Sequence, residues 1–313
     1  MNLPKWLLIM NGSSYETVAQ LCGIDQVAKC DLGLLRSLSS HFEDLGDGQI
    51  AFSDKRPALK TDYLALWPNA KSIAAFLVSY GSEMPRPLGN FGQVARFARG
   101  EDYHIVVKER ISKFLSLWDG AKGIDAKIFV DTSPLSERAV AYSAGSGFIG
   151  KNRMLINEKL GSFCYIGIAL FDADINMPIL DPSRASCMDC CNCLKACPTG
   201  ALGQAHLDYK KCISYATQAL DADNIDTQGY IWGCDLCNLA CPYNNPLPLA
   251  QDNSVFIGSV DSAFLDIEWV LNASKEEFDS RFGNTALAWR GLGQLQANAK
   301  RIAKNTGGFA SKS

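Results

Sequence analysis

The sequence predicts an α/β layered domain, then a small cysteine-rich domain, then a short helical C-terminal segment. Three observations carry that prediction. Apolar runs with strand character are separated by an amphipathic helix over residues 1–182; ten of the 12 cysteines fall between Cys164 and Cys241; and the chain closes on helical periodicity rich in Lys and Arg. "MPILDPSRAS", with two prolines, marks the boundary, giving segments 1–182, 183–248 and 249–313.

The elements follow in order. The opening "MNLPKWLLIMNGSS" holds only a five-residue apolar run, Trp6–Met10, too short for a signal peptide or a membrane span, and no twin arginine. With 47% hydrophobic residues, 20% charge and a net charge of -3, the chain reads as a cytoplasmic globular protein without indiscriminate affinity for nucleic acid. "KSIAAFLVSY" (Lys71–Tyr80), "AKIFVDT" (Ala126–Thr132) and "SFCYIGIALFDADI" (Ser162–Ile175) are strands. Between the first two, Ile111, Phe114, Leu115 and Trp118 recur at helical spacing and pack a helix on the sheet. Ser133 can cap, and Pro134 can open, a helix running to Ala144.

That helix runs into "GSGFIGKN", Gly145–Asn152. Its glycines match G-x-G-x-x-G, but a dinucleotide fingerprint leaves a strand and opens a helix, whereas this one follows a helix and precedes none. The stretch reads instead as an open loop able to present backbone N–H groups to something flat or anionic.

The cysteines have a register. Cys187, Cys190, Cys193 and Cys197 stand at C-x2-C-x2-C-x3-C before Pro198, and Cys234, Cys237 and Cys241 repeat the x2 and x3 spacings before Pro242. In the bacterial ferredoxin run, the cysteine beside the proline ligates the other cluster. Crossed ligation gives one [4Fe-4S] cluster to Cys187, Cys190, Cys193 and Cys241. The second takes Cys197, Cys234 and Cys237, with Cys212 as the candidate fourth. Four-cysteine zinc is the alternative, though it does not explain the C-x3-C-P halves. Cys22, Cys30, Cys164 and Cys191 fall outside the register and read as packed thiols.

In the C-terminal segment Ser274 and Glu277 form a capping box, and a further helix runs from about Thr285 to Asn305. From Arg281 to Ser313 there are six Lys or Arg and no acid, with Lys300, Arg301 and Lys304 on one helical face. That face is a candidate nucleic-acid contact, set against a plain solvated helix.

Taken in order, "ARFARGEDYHIVVKER", "VDTSPLSERAVAYSAGSGFIGKN", "LGSFCYIGIAL", the two cysteine runs, "CISY" and "FDSRFGNTALAWRGLGQLQANA" resemble the epoxyqueuosine reductase family over roughly residues 21–304. The resemblance implies a nitroreductase-like α/β (α+β) domain that binds cobalamin, joined to a ferredoxin-like domain with two [4Fe-4S] clusters and short C-terminal helices. It implies that Arg138, Gly147, Gly150, Lys151, Asn152, Ser162 and Tyr215 line the cobalamin and that Asp131 is the general acid. The implied reaction reduces epoxyqueuosine to queuosine in tRNA, with cob(I)alamin regenerated by the clusters and an external low-potential donor, in a cytoplasmic monomer. His104 sits in "DYHIVV", where Val107 replaces the glycine of a cobalt-ligating histidine motif, so it reads as a packing or substrate-side residue. Compared with longer members, the sequence ends before their C-terminal helical-repeat domain, and Lys300, Arg301 and Lys304 become the candidate tRNA contacts. A ferredoxin-type electron carrier and a corrinoid reductive dehalogenase are the alternatives. The carrier would not need the glycine loop or Asp131, and the dehalogenases usually carry the export signal that is missing here.

Overall fold

Eight consecutive buried residues, Ser72–Ser79, form the strand around which the first half of the chain is built. The computed structural model describes residues 14–40, 56–81, 83–204, 206–220, 225–246 and 253–305; the apolar run Trp6–Met10 lies outside them. The strands are β1 (Gln26–Lys29), β2 (Ser72–Ser79), β3 (Phe91–Val94), β4 (Ala126–Phe129), β5 (Phe148–Ile149), β6 (Leu155–Ile156), β7 (Cys164–Phe171), β8 (Tyr230–Trp232) and β9 (Phe264–Asp266).

The described residues divide into two compact units interleaved in sequence. One, here the sheet unit, comprises Met1–Ser79, His104–Gly150 and Met154–Ser186; the other, the cysteine unit, comprises Tyr80–Tyr103, Lys151–Arg153 and Cys187–Ser313. The division before the cysteines falls at Ser186. Residues 80–103 nevertheless join the cysteines, and the C-terminal segment is part of that unit. The reason is strand pairing: β3 pairs parallel with β8 and antiparallel with β9, which ties three distant stretches into one sheet.

In the sheet unit the order is β1-β2-β7-β4, with every neighbouring pair antiparallel. The layer is therefore α+β, built without parallel crossovers. β2 and β7 pair along their full length, from Ser72 opposite Phe171 to Ser79 opposite Cys164. The helix Tyr103–Leu117 buries Val107, Ile111 and Phe114, and the Phe114 ring meets Phe76 of β2 edge to face at 5.6 Å.

Two helix starts differ from expectation. The helix expected from Pro134 runs only from Glu137 to Ser143, capped by Ser136, whose Oγ accepts from the Ala139 N–H at 3.3 Å. The chain ahead of it must first sink Leu135, 3% exposed, into the core beside Ala139 and Ile168, which holds residues 131–136 out of helical conformation. The C-terminal helix is likewise split into a 3₁₀ turn, Ala286–Trp289, and a helix, Gly291–Asn305, which opens on Gly291 at φ +70. The capping box is present: Ser274 Oγ accepts from the Glu277 N–H, and Glu277 Oε2 accepts from the Ser274 N–H at 2.7 Å.

In the cysteine unit the last helix buries Leu295, Ala299 and Ile302 against Trp232 and Val270. Its Asn298, fully buried, donates to the carbonyls of Thr217 at 2.7 Å and Ile231 at 2.9 Å. A polar residue is stable there because both donors of its amide are used.

Candidate functional site

At the end of β4 the chain passes through buried Val130 and reverses at Asp131, whose φ of +52 is unusual for a residue with a side chain. Aspartate is among the few residues that tolerate this region. The turn is secured through its backbone, because the Asp131 N–H donates to Glu137 Oε1 at 2.5 Å. The carboxylate itself points outward: the Asp131 side chain is 69% exposed, and His104 Nε2 lies 3.9 Å from its Oδ2. An acid presented this way is accessible to a substrate, with the His104 imidazole of the neighbouring helix beside it.

Glu137 stands six residues after Asp131 in "DTSPLSE", as the acid near the amino end of the helix. It keeps some accessible surface, yet desolvation first and then the charge of Asp131 push its carboxyl well above the ordinary range, against the opposing effects of the Asp131 N–H and Arg138. Arg138, exposed by accessible surface, is also desolvated by the protein around it; that lowers its guanidinium, while Asp131 and Glu137 raise it.

The glycine loop lies between this helix and the β5–β6 hairpin, so no helix opens after it and the dinucleotide geometry is absent from this segment. Its glycines answer first to the protein's own backbone. A Cβ at Gly147 would sit 2.3 Å from the Ile156 carbonyl oxygen, and one at Gly145 2.4 Å from that of Leu180. Ser162 is buried, and the Ser133, Ser143 and Ser146 hydroxyls are buried without a hydrogen-bond partner. Cobalamin carries peripheral amides that can bond such hydroxyls, so the donors and acceptors of this segment fit the group.

Lys151, Asn152 and Arg153 belong to the cysteine unit although the chain on both sides belongs to the other. Lys151 donates through Nζ to the carbonyls of Met188 at 3.0 Å and Cys190 at 2.9 Å and to Cys191 Sγ at 3.5 Å, and through its backbone N–H to Cys187 Sγ at 3.3 Å. Asn152 Nδ2 donates to Asn238 Oδ1 at 3.0 Å. Tyr215 is half-buried, its ring edge to face with Tyr209 at 4.9 Å.

The cysteines fall into two neighbourhoods. Burial raises the Cys193 thiol, as do the charges of Cys187 and Cys241; Cys241 in turn is raised by burial, Cys187 and Cys190. Burial raises Cys212, Cys234 and Cys237, the last to about 12; Cys212 is affected by Cys197, Cys234 by Cys237 and Cys212, and Cys237 by Cys212, Cys193 and Cys197. The influence of Cys193 on Cys237 is the one link across the two sets among these effects. Among the described residues no three His, Cys, Asp or Glu side chains converge on a single-ion site. Cys191 is bonded by Gln204 Nε2 at 3.6 Å as well as by Lys151, while Cys22 and Cys30 are buried in the sheet unit.

Sequence reading missed the support behind the second run. Asp235, 2% exposed, accepts from the Arg96 backbone N–H at 2.9 Å and from Arg96 Nη1 at 3.4 Å, and Arg99 Nε donates to the Val94 carbonyl at 2.9 Å. This gives both arginines of "ARFARGE" a structural task. The basic helix face is smaller than expected. Lys300 and Lys304 are exposed, but Arg301 is half-buried, with Nη1 donating to the Ala216 carbonyl at 3.1 Å. Arg290 Nε likewise donates to the Gln218 carbonyl at 3.2 Å.

An α+β sheet unit joined to paired cysteine sets defines an iron–sulfur oxidoreductase, and comparison with known proteins makes the class specific. The family model "Epoxyqueuosine reductase QueG, DUF1730" matches residues 60–132, and "4Fe-4S double cluster binding domain" matches residues 186–244. Epoxyqueuosine reductase of Staphylococcus aureus is 34% identical over 259 residues, 79% of this chain and 67% of its own length. A crystal structure of epoxyqueuosine reductase with an epoxyqueuosine-modified stem loop of tyrosine tRNA superposes with a TM-score of 0.81 at 29% identity, covering 92% of this chain and 80% of that one. The Bacillus subtilis structure whose catalytic aspartate loop is swung out of the active site gives a TM-score of 0.78 at 28% identity, with the same coverages. The chain belongs to the epoxyqueuosine reductase family.

Proposed function

We propose that this protein reduces epoxyqueuosine in tRNA to queuosine, with Asp131 as the proton donor. Conversion of the epoxide to an alkene consumes two electrons and two protons and releases the oxygen as water. When bound, cobalamin and two [4Fe-4S] clusters would supply the low-potential electrons. Cys187, Cys190, Cys193 and Cys241 would hold one cluster and Cys197, Cys212, Cys234 and Cys237 the other, and Arg138, Gly147, Gly150 and Ser162 would hold cobalamin. The observation that carries the reading is the presentation of Asp131. Family membership coincides with an exposed carboxyl on a left-handed turn, and the related Bacillus subtilis structure is described by the movement of its catalytic aspartate loop. Asp131 would protonate the departing oxygen. Lys300 and Lys304 would contact tRNA phosphates. Among the described residues no helix is long and apolar enough to cross a membrane.

The test is direct. Protein loaded anaerobically with iron, sulfide and cobalamin is given tRNA containing epoxyqueuosine and a low-potential reductant, and the digested nucleosides are weighed by mass spectrometry. Queuosine should replace epoxyqueuosine, and the protein should hold about eight iron atoms per chain. A fully loaded protein that leaves epoxyqueuosine untouched would refute the assignment.

A further inference from the structure

Lys151 makes an unusual set of bonds for a residue next to a glycine loop. An ammonium has three donors, and here all three are directed at one short segment: the carbonyls of Met188 and Cys190 and the sulfur of Cys191. The segment needs such a partner. Met188 adopts a φ of +42 and is 80% exposed, the Cys190 N–H turns back to the Cys187 carbonyl at 2.8 Å, and the Met188 and Cys190 carbonyls both meet the Lys151 ammonium. The backbone N–H of Lys151 adds a fourth bond, to Cys187 Sγ at 3.3 Å.

The next two residues hold Lys151 in register. Asn152 is tied to Asn238, the neighbour of Cys237, and Arg153 Nη2 donates to the carbonyls of Gly203 and Gln204, both at 3.4 Å. Positive charge and an N–H donor are thereby fixed on a cysteine loop. Reduction adds negative charge to an iron–sulfur cluster and its thiolates, so a nearby fixed cation and an N–H···S bond stabilise the reduced form more than the oxidised one.

We propose that Lys151 sets the reduction potential of the cluster bound by Cys187, Cys190, Cys193 and Cys241. The inference rests on the ligand assignment proposed above. It assigns Lys151 a positioning and electrostatic role, one that a purely mechanical staple of the loop would not have.

The experiment is a redox titration of anaerobically loaded full-length protein followed by electron paramagnetic resonance, with iron and sulfide counted on the same samples. The variants are Lys151→Met, Lys151→Gln and Lys151→Arg. In the neutral variants that retain iron, one potential should move negative, with its reduced-to-oxidised ratio at fixed potential falling about tenfold, or about 59 mV for one electron. The other potential should stay in place, and Lys151→Arg should restore the first. The potential that moves should be the one that survives in Cys212→Ala. Retained iron with both potentials unmoved overturns the proposal. Loss of the cluster from both neutral variants also overturns it, because Lys151 would then hold the cluster without tuning it. Failure of the ligand assignment shows separately, as an unsubstituted protein without two cubane signals.

Discussion

The Asp131 turn and the cysteine cradle solve opposite problems. Asp131 stands in a strained backbone conformation with its carboxylate largely in solvent, its turn secured by a bond from its own N–H to Glu137. The cradle is tied down from several directions: Lys151 on the first run, Asn152 on Asn238, and the buried Arg96–Asp235 pair behind the second. A group that delivers a proton must reach its substrate and be able to withdraw. Groups that hold an electron carrier work best when they barely move, because each rearrangement adds to the barrier for transfer. On the function proposed above, strain in the first region and a dense polar network in the second would be the structural forms of those two demands.

The largest expected effect falls on the exposed side of this comparison. Asn fits the left-handed turn at 131 as well as Asp but has no transferable proton. Asp131→Asn should therefore keep iron and cobalamin while turnover drops by about 10²-fold or more in the nucleoside assay. Turnover close to that of the unsubstituted protein would reduce Asp131 to a turn residue.

The next effect is on stability and should fall on the cradle. Arg96→Ala leaves Asp235 buried beside one cation fewer, and denaturant unfolding should show a loss of about 3–5 kcal/mol. Asp131→Gly, which relieves the positive φ, should stay within about 1 kcal/mol of the parent. Comparable losses in the two variants would erase the distinction between a strained turn and a rigid cradle.

Within the cradle, two cysteines of the same unit should differ. Cys212→Ala should lower iron from about eight to about four per chain, whereas Cys191→Ala should retain the full complement. Equal losses would overturn the division into two sets.

The smallest effect is a pH slope. The Glu137 carboxyl is raised in the folded protein by desolvation and by Asp131, so folding takes up a proton once the pH exceeds the ordinary value of 4.5. Whatever stability this contributes is present below the unfolded value and is lost as pH rises through the folded one. Glu137→Gln lacks that loss. Unfolding free energies measured from about pH 5 to pH 8 should therefore decline more steeply in the parent than in the variant. Parallel slopes would show that Glu137 is not desolvated as described.

The sequence by itself determined the local chemistry of this protein. The cysteine spacings, the strand content of residues 71–80, 126–132 and 162–175, the Ser274–Glu277 cap and the failure of the glycine loop as a dinucleotide site are all properties of nearby residues, and local rules read them. Tertiary structure decided what depends on partners distant in the chain. β1 is four residues long and becomes a strand because β2 offers it an edge, from Gln26 opposite Leu77 to Lys29 opposite Ala74. The helix expected from Pro134 starts at Glu137 because Leu135 is needed in the core. Arg301 turns from the expected basic face to the Ala216 carbonyl. Residues 80–103 leave the first unit because β3 finds its partners more than a hundred residues away, and Lys151 bonds the Cys187–Cys191 loop for a related reason. Hydrogen bonds and burial are satisfied in space, and a sequence pattern shows them only when the satisfying groups are close along the chain.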